Sequence, residues 1–487
     1  MRCEVGPRAP FEALEAMHDE LWDHERGMAR PARGVAPGID ALDLHSVRET
    51  ALGALLDLDL GRRDRAVDGL RNVLATQYPL SSWPWSGTFP TTAEQAEPPG
   101  ERAVEWVHYD PNWRQFLGCI LALVELEHGA RLPDDVRAGI AAAIASCALG
   151  EPPDRIPIWY TNPDLMHSWL LGYAGARAGD ADRVAAAEER VGRFEARFDR
   201  VGDVDEYNSP TYDGIDLFAL GLWVTHPPSP VFATAGERIV ASVGARISRL
   251  FHPGLGAACG PYLRAYGLQL DAYVSLAGLW WSLAGQPVDH ILPSPLDQDA
   301  VHVHDLYFLP AFAAVAPAVL DHLSIRPVIE DRHHEQRFGD ATASSLLRPR
   351  LAVGWEHGRR HEFSLDQYVP FTAHLDGTPG PRTSSLGVML ADETTWADVR
   401  RIGPGRAEKE LRFELRAGGT ADRAGVRVVT SVEGGPELEP GRLTVGRCTM
   451  QFAPDTEVAR RTTPVGDEFV LRWPIGPAEA IITIDGP

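Results

Sequence analysis

The chain has 487 residues, 44% of them hydrophobic and 23% charged, with 46 Lys and Arg against 68 Asp and Glu for a formal net charge of −22. That length accommodates two hydrophobic cores, and the composition is that of an ordinary globular protein. So acidic a surface repels nucleic acid and sulfated polymers at low salt, which excludes a nucleic-acid partner and favours a small or weakly charged substrate.

The N-terminus, Met1-Arg2-Cys3-Glu4, leads into an amphipathic segment without the apolar stretch of a signal peptide. No run approaches the ~20 uninterrupted apolar residues of a membrane span. Cys3, Cys119, Cys147, Cys259 and Cys448 form no CxxC pair, so neither a disulfide framework nor a thiolate zinc site is expected. These features predict a soluble, cytoplasmic protein with no membrane partner.

Helical periodicity opens the chain, with Phe11, Leu14, Met17 and Leu21 on one face and Leu52, Leu55, Leu56 and Leu58 following. From about 79 to 105 it gives way to a loop rich in Pro, Trp and Glu, and returns with Trp113, Phe116, Leu117, Ile120 and Val124. Asp110-Pro111, Asn162-Pro163 and Ser209-Pro210 each set a capping side chain before a proline suited to a first helical position. Their spacing, near 50 residues, leaves room for one helix out and one back, for example 163–177 and 182–199. Paired helices at that period predict a solenoid or an α/α toroid, incomplete or of six hairpins. A last helix near Leu306–Leu323 is bent by Pro310 and Pro317.

From about 326 the texture changes. Leu351–Trp355, Glu362–Val369, Leu411–Leu415, Val426–Val432, Leu443–Phe452, Phe469–Trp473 and Ala480–Ile484 alternate or are β-branched between Gly, Pro and Asp. They predict an antiparallel β-sandwich. The expected fold class is therefore α+β multidomain: a toroid carrying the cleft over 1–325 and a sandwich over 326–487.

Four segments concentrate aromatic and polar residues: Trp106–Trp113, Trp159–His167, Asp205–Tyr212 and Gly260–Gly267. If equivalent ends of the inner helices share one mouth, these segments converge on a single cleft. Aromatic faces stack on sugar rings, and Asn, Asp, Glu, His and Arg bind hydroxyls and move protons. Trp83, Trp85, Trp106, Trp113 and Trp159 are candidate platforms, although core packing is the commoner use of any single Trp. His167 is a candidate base, Tyr207 or Tyr212 a candidate acid/base, and Arg264 the charge that activates a phenol or pairs with a substrate carboxylate. Asn162, Asn208, Glu206, Tyr266 and His108 complete the expected substrate-binding set. Asp205, Glu206 and Asp213 would serve a glycoside hydrolase. His302-Val303-His304 shows no third ligand and His333-His334-Glu335 falls in an expected loop, so no metal is predicted. P-loop, GxGxxG and GxSxG motifs are missing, and no cofactor is expected.

The order of parts resembles the toroid-fold polysaccharide lyases, the chondroitin AC, alginate and heparinase II/III-like enzymes. In that group a Tyr, helped by His, Asn and Arg, abstracts the proton next to a uronate carboxylate and protonates the leaving oxygen. Asn162 and His167, then Tyr207 or Tyr212, then Arg264 and Tyr266 follow a similar order here. The adjacent Asn-His pair of the alginate lyases and the longer chondroitin-lyase signatures are missing, while YDPNW and EYNSPTY look like segments of uncharacterised bacterial and fungal proteins. The resemblance implies a lyase that cleaves uronate-containing oligosaccharides by β-elimination. The residues alone also admit a glycoside hydrolase, a small-molecule cyclase or isomerase, and a non-catalytic binding module.

Overall fold

The computed structural model describes residues 8–33, 44–95, 97–359, 367–376, 383–390, 396–404, 410–418, 425–432, 435–463, 466–473 and 478–485. The chain is an α+β multidomain protein, helical in its first part and built of antiparallel sheets in its second.

The helices are α1 (Arg8–Leu21), α2 (Val47–Asp59), α3 (Arg63–Thr76), α4 (Trp113–His128), α5 (Asp134–Gly150), α6 (Thr161–Ala178), α7 (Ala181–Val201), α8 (Asp213–Thr225), α9 (Pro230–Leu250), α10 (Leu276–Leu283) and α11 (Leu309–Val319). They pair as hairpins, α2 with α3, α4 with α5, α6 with α7 and α8 with α9. The leading helix of each hairpin packs on the next, α2 on α4, α4 on α6 and α6 on α8, and α11 bridges α8 back to α2. Composition dictates the arrangement. Helix α7 is amphipathic and buries only Ala187, Val191, Phe194 and Phe198, whereas α8 buries every residue from Asp213 to Trp223. An outer helix needs one apolar stripe, and an inner one is apolar nearly all round. By length and composition alone, one helical stretch, Val303–His322, could cross a membrane, and 72% of its apolar window is buried inside the protein.

Pro111 and Pro210 precede their helices, whereas Pro163 lies within the first turn of α6. Helices α4 and α8 begin at Trp113 and Asp213, and their cap residues, Asn112 and Tyr212, make no side-chain cap. Asp110 and Ser209 instead accept the backbone N–H of Asn112 and Tyr212, each at 2.8 Å, and so fold the turn that leads into the helix. Asn162 lies inside the first turn of α6, where its side chain is engaged elsewhere.

Two short ribbons, β1 (Trp22–Asp23) with β2 (Met28–Ala29) and β3 (Phe251–His252) with β4 (Ala257–Ala258), interrupt the helical part. Beyond it come β5 (Arg332–Phe338), β6 (Ala341–Arg348), β7 (Leu351–His357), β8 (Phe371–Leu375), β9 (Ser384–Leu390), β10 (Trp396–Pro404) and β11 (Leu411–Gly418). The last are β12 (Gly425–Ser431), β13 (Glu437–Glu439), β14 (Arg442–Val445), β15 (Cys448–Phe452), β16 (Glu457–Thr463), β17 (Gly466–Arg472) and β18 (Ala478–Ile484). One sheet runs β16-β17-β12-β9-β8-β7-β6-β5 and the other β10-β11-β18-β15-β14-β13. Val353, Phe371, Val388 and Val428 of the first share a core with Phe413, Leu415, Met450 and Ile482 of the second. His333, His334 and Glu335, expected in a loop, belong to β5. The expected strand Glu362–Val369 falls mostly outside the described residues.

The two parts are stitched where the cleft lies. Tyr262 and Val369 exchange backbone hydrogen bonds of 3.1 and 2.9 Å, Ala265 N–H donates to Gln367 O at 2.9 Å, and Ser345 Oγ donates to Gly260 O at 2.7 Å. A side chain at Gly354 would meet Gly260 O at 1.8 Å, so only glycine lets β7 approach this segment. Segment 260–266 is thereby held against β6, β7 and β8, with Arg264 reaching Glu206 and Tyr212 of the helical part.

Candidate active site

A cavity of about 760 Å³ opens in the protein, and all four aromatic-polar segments contribute to it. Trp106, Asn112 and Trp113 come from the first, Trp159, Tyr160 and Asn162 from the second, Thr211 and Tyr212 from the third, and Arg264 and Tyr266 from the fourth. Arg48 from α2, Arg155, Asp110, Glu105, Gln367 and the turn bearing His302, His304 and Asp305 complete the polar lining.

Arg264 organises one wall. Its Nη1 donates to Glu206, its Nε to Gln367 Oε1 at 2.8 Å and its Nη2 to the Tyr212 hydroxyl at 2.9 Å. The guanidinium carbon also lies 3.9 Å from the Tyr212 ring centroid and 5.2 Å from that of Tyr160. Burial works against this charge, but Glu206, Tyr212 and Tyr160 outweigh it and hold Arg264 above its ordinary value. Glu206 is fully buried and accepts both the backbone and side-chain N–H of Asn162 at 2.8 Å.

Arginine only donates, so the Tyr212 oxygen accepts from it. The Tyr212 and Tyr266 hydroxyls are hydrogen-bonded to each other. Tyr266 is 42% exposed. Burial pushes both phenols up, strongly so for Tyr212, and Arg264 opposes it at each. The Tyr212 hydrogen bond further lowers Tyr266.

Across the cavity the ring of Tyr266 stacks on His302, with centroids 5.1 Å apart and planes at 9°. Burial holds the His302 and His304 imidazoles below their ordinary values and pushes the Asp305 carboxyl up to about 7. Arg48 spans this side, both its Nε and Nη2 donating to Glu49 Oε1, at 2.9 and 2.8 Å. Arg155 pairs with Glu151 and donates to Asn112 Oδ1 at 3.2 Å.

Of the residues expected at the site, Tyr212, Arg264, Asn162, Tyr266, Trp113 and Trp159 line the cavity. The others are placed elsewhere. Tyr207 is fully buried, its ring edge-on to Phe338 and 5.3 Å from the Arg246 guanidinium. Asn208, at φ 56°, donates to Cys259 O and Pro261 O at 2.7 and 3.0 Å and so shapes the backbone. Glu206 stands behind the wall as the partner of Arg264. His167 is buried in α6, 3.5 Å from Gln115, and burial pushes it down to about 3. His108 accepts the Val104 N–H at 2.9 Å in the preceding loop, and Trp85 is buried edge-on to Tyr78. Asp205 is paired with Arg197, and Asp213 is locked to buried Arg246. Sequence reasoning gave no role to Arg48, Arg155 or Asp305. Arg48 carries no local signal, since it reaches the cleft from an early helix. His302-Val303-His304-Asp305 did carry one, but the geometry that gathers it is a 3₁₀ turn and not a strand.

A family model described as Domain of unknown function (DUF8769) matches residues 12–317. No curated protein sequence matches. Among solved structures, the chain is similar to heparinase III at 8% identity and a TM-score of 0.44, over 90% of this chain and 76% of that one. It is also similar to heparan sulfate lyase HepC from Pedobacter heparinus at 11% identity and a TM-score of 0.23, over 89% of this chain and 91% of that one. Endoglucanase CelQ from Clostridium thermocellum, complexed with cellobiose and cellotriose, is similar at 11% identity and a TM-score of 0.28, over 91% of this chain and 83% of that one.

Proposed function

We propose that this chain, which belongs to the family described as Domain of unknown function (DUF8769), is a carbohydrate-active lyase that cleaves a uronate-containing oligosaccharide by β-elimination. The reading takes residues 1–325 as an α/α toroid, closed through the contact of α11 with α2, and 326–487 as a sandwich that braces one wall of its mouth. The observation that carries it is the chain of hydrogen bonds from Arg264 through Tyr212 to Tyr266, which ends in an exposed phenol inside an aromatic cleft.

In this mechanism Tyr266 is the acid/base. As a phenolate it takes the proton next to the substrate carboxylate, stabilised by the Tyr212 hydroxyl it accepts from. As a phenol it returns the proton to the leaving glycosidic oxygen. Tyr212 and Arg264 are positioning residues: they fix the phenol and place positive charge near it, which favours the ionised form. Trp106, Trp113 and Trp159 offer faces for sugar rings. The hydrolase reading loses support from Asp205, Glu206 and Asp213, all of which are spent on arginines.

Mass spectrometry of the products tests the reaction class. Elimination gives two fragments that sum to the mass of the starting oligosaccharide, one of them unsaturated. Fragments whose masses sum to substrate plus one water would replace elimination with hydrolysis.

A further inference from the structure

His302, His304 and Asp305 each bring one ligand atom to within 4.8 Å of the others. The turn Val303–Phe308 gathers them, with His302 just before it in the left-handed conformation at φ 56° and ψ 23°. Few non-glycine residues adopt that backbone, and it persists where the surroundings enforce it. His304 Nε2 lies 3.4 Å from Asp305 Oδ1, and His302 Nδ1 lies 3.9 Å from Asp305 Oδ2. Donors about 2.0–2.2 Å from a tetrahedral zinc sit roughly 3.3–3.6 Å from one another, so small side-chain rotations close the set. The second ring nitrogen of His304, Nδ1, is buried with no hydrogen-bond partner.

Charge in the cleft argues the same way. Each of its three arginines is already paired, Arg48 with Glu49, Arg155 with Glu151 and Arg264 with Glu206. Arg48 does not fill the histidine site, because its Nη1 stays 3.9 Å from Asp305, beyond hydrogen-bond reach. Among the described residues, an anionic substrate entering here meets Asp110, Glu105 and Asp305, with Arg48 shared between Glu49 and Asp305.

We propose that His302, His304 and Asp305 bind a divalent transition-metal ion, zinc in type, at the cleft wall beside Tyr266. Two imidazoles and one carboxylate leave a coordination position open, as catalytic zinc sites do. That position faces the cavity and takes an oxygen of the substrate, in the eliminative reading its carboxylate. The role rests on that reading, whereas the binding does not.

The test measures binding without turnover. The full chain is stripped with a chelator, equilibrated with Zn²⁺, desalted and assayed for metal by atomic emission. The expected result is a single equivalent retained, with affinity lowered at least roughly 10- to 100-fold in His304→Gln and Asp305→Asn. Co²⁺ loading of the unsubstituted chain gives a second readout that needs no variant: visible d–d bands typical of a low-coordinate N,O site. No retained zinc and no such bands, or zinc retained equally in both variants, overturns the site. Zinc bound without any elimination overturns the reaction and keeps the site, and elimination by the stripped chain overturns the metal's role in it.

Discussion

The Arg264 guanidinium donates to the Tyr212 hydroxyl at 2.9 Å while its carbon lies 3.9 Å from the same ring, so one arginine fixes both the position and the polarity of that phenol. Tyr212 is in turn hydrogen-bonded to Tyr266. The proposed reactivity of Tyr266 therefore depends on Arg264 through Tyr212.

Tyr266→Phe removes the acid/base and is expected to lower kcat by about 10²–10⁴-fold with an unchanged melting curve. Tyr212→Phe removes only the supporting hydrogen bond, worth about 0.5–1.5 kcal/mol net, or roughly 2- to 13-fold in rate. Steady-state kinetics on both variants checks the order, and equal losses would refute it.

Arg264→Lys keeps the charge but cannot serve Glu206, Gln367 and Tyr212 together. Arg264→Met leaves buried Glu206 without its cation, which is expected to cost about 3–5 kcal/mol of stability. Urea denaturation of both variants, beside their turnover, separates the two effects. The lysine variant should lose rate more than stability, and the methionine variant should lose both.

Trp106 is 62% exposed on the rim, at φ 57°, and lines the cavity. Trp106→Ala is expected to raise KM by about 2- to 10-fold with kcat nearly unchanged, as for loss of a stacking face worth about 0.5–1.5 kcal/mol. A fall in kcat alone would contradict a binding role.

Burial lowers both His167 and His374 from an ordinary 6.5 to about 3. Between those limits the unfolded chain binds protons that the folded chain does not, so stability falls as pH drops from 6.5 towards 3. Denaturation midpoints measured from pH 7 to 4 should decline, and His374→Gln should make the decline shallower. A flat profile would show that these rings protonate in place.

Much of the fold is legible in the sequence because its signals are periodic. The expected helices 163–177 and 182–199 correspond to α6 and α7, since fully apolar and one-faced patterns separate inner from outer helices. The expected strand Leu443–Phe452 is the hairpin of β14 and β15, whose two-residue turn at Gly446-Arg447 the alternation did not mark. The cleft was less legible. Clustering of aromatic and polar residues marks four segments that line one cavity, but it does not say which neighbour faces inward. Tyr207 and Tyr212 are five positions apart, yet one is sealed beneath the sheet and the other looks into the cavity. His302-Val303-His304 shows no third ligand in the sequence, and a 3₁₀ turn brings Asp305 to both imidazoles.

The most direct measurement of the central claim is ultraviolet absorbance of the purified chain incubated with uronate-containing oligosaccharides, since elimination creates a conjugated double bond that needs no label. Absorbance should rise with the unsubstituted chain and with Asp205→Asn, and stay flat with Tyr266→Phe. A Tyr266→Phe protein that still raises the absorbance at the original rate would contradict the assignment of the acid/base, and reducing ends released without any absorbance change would contradict elimination itself.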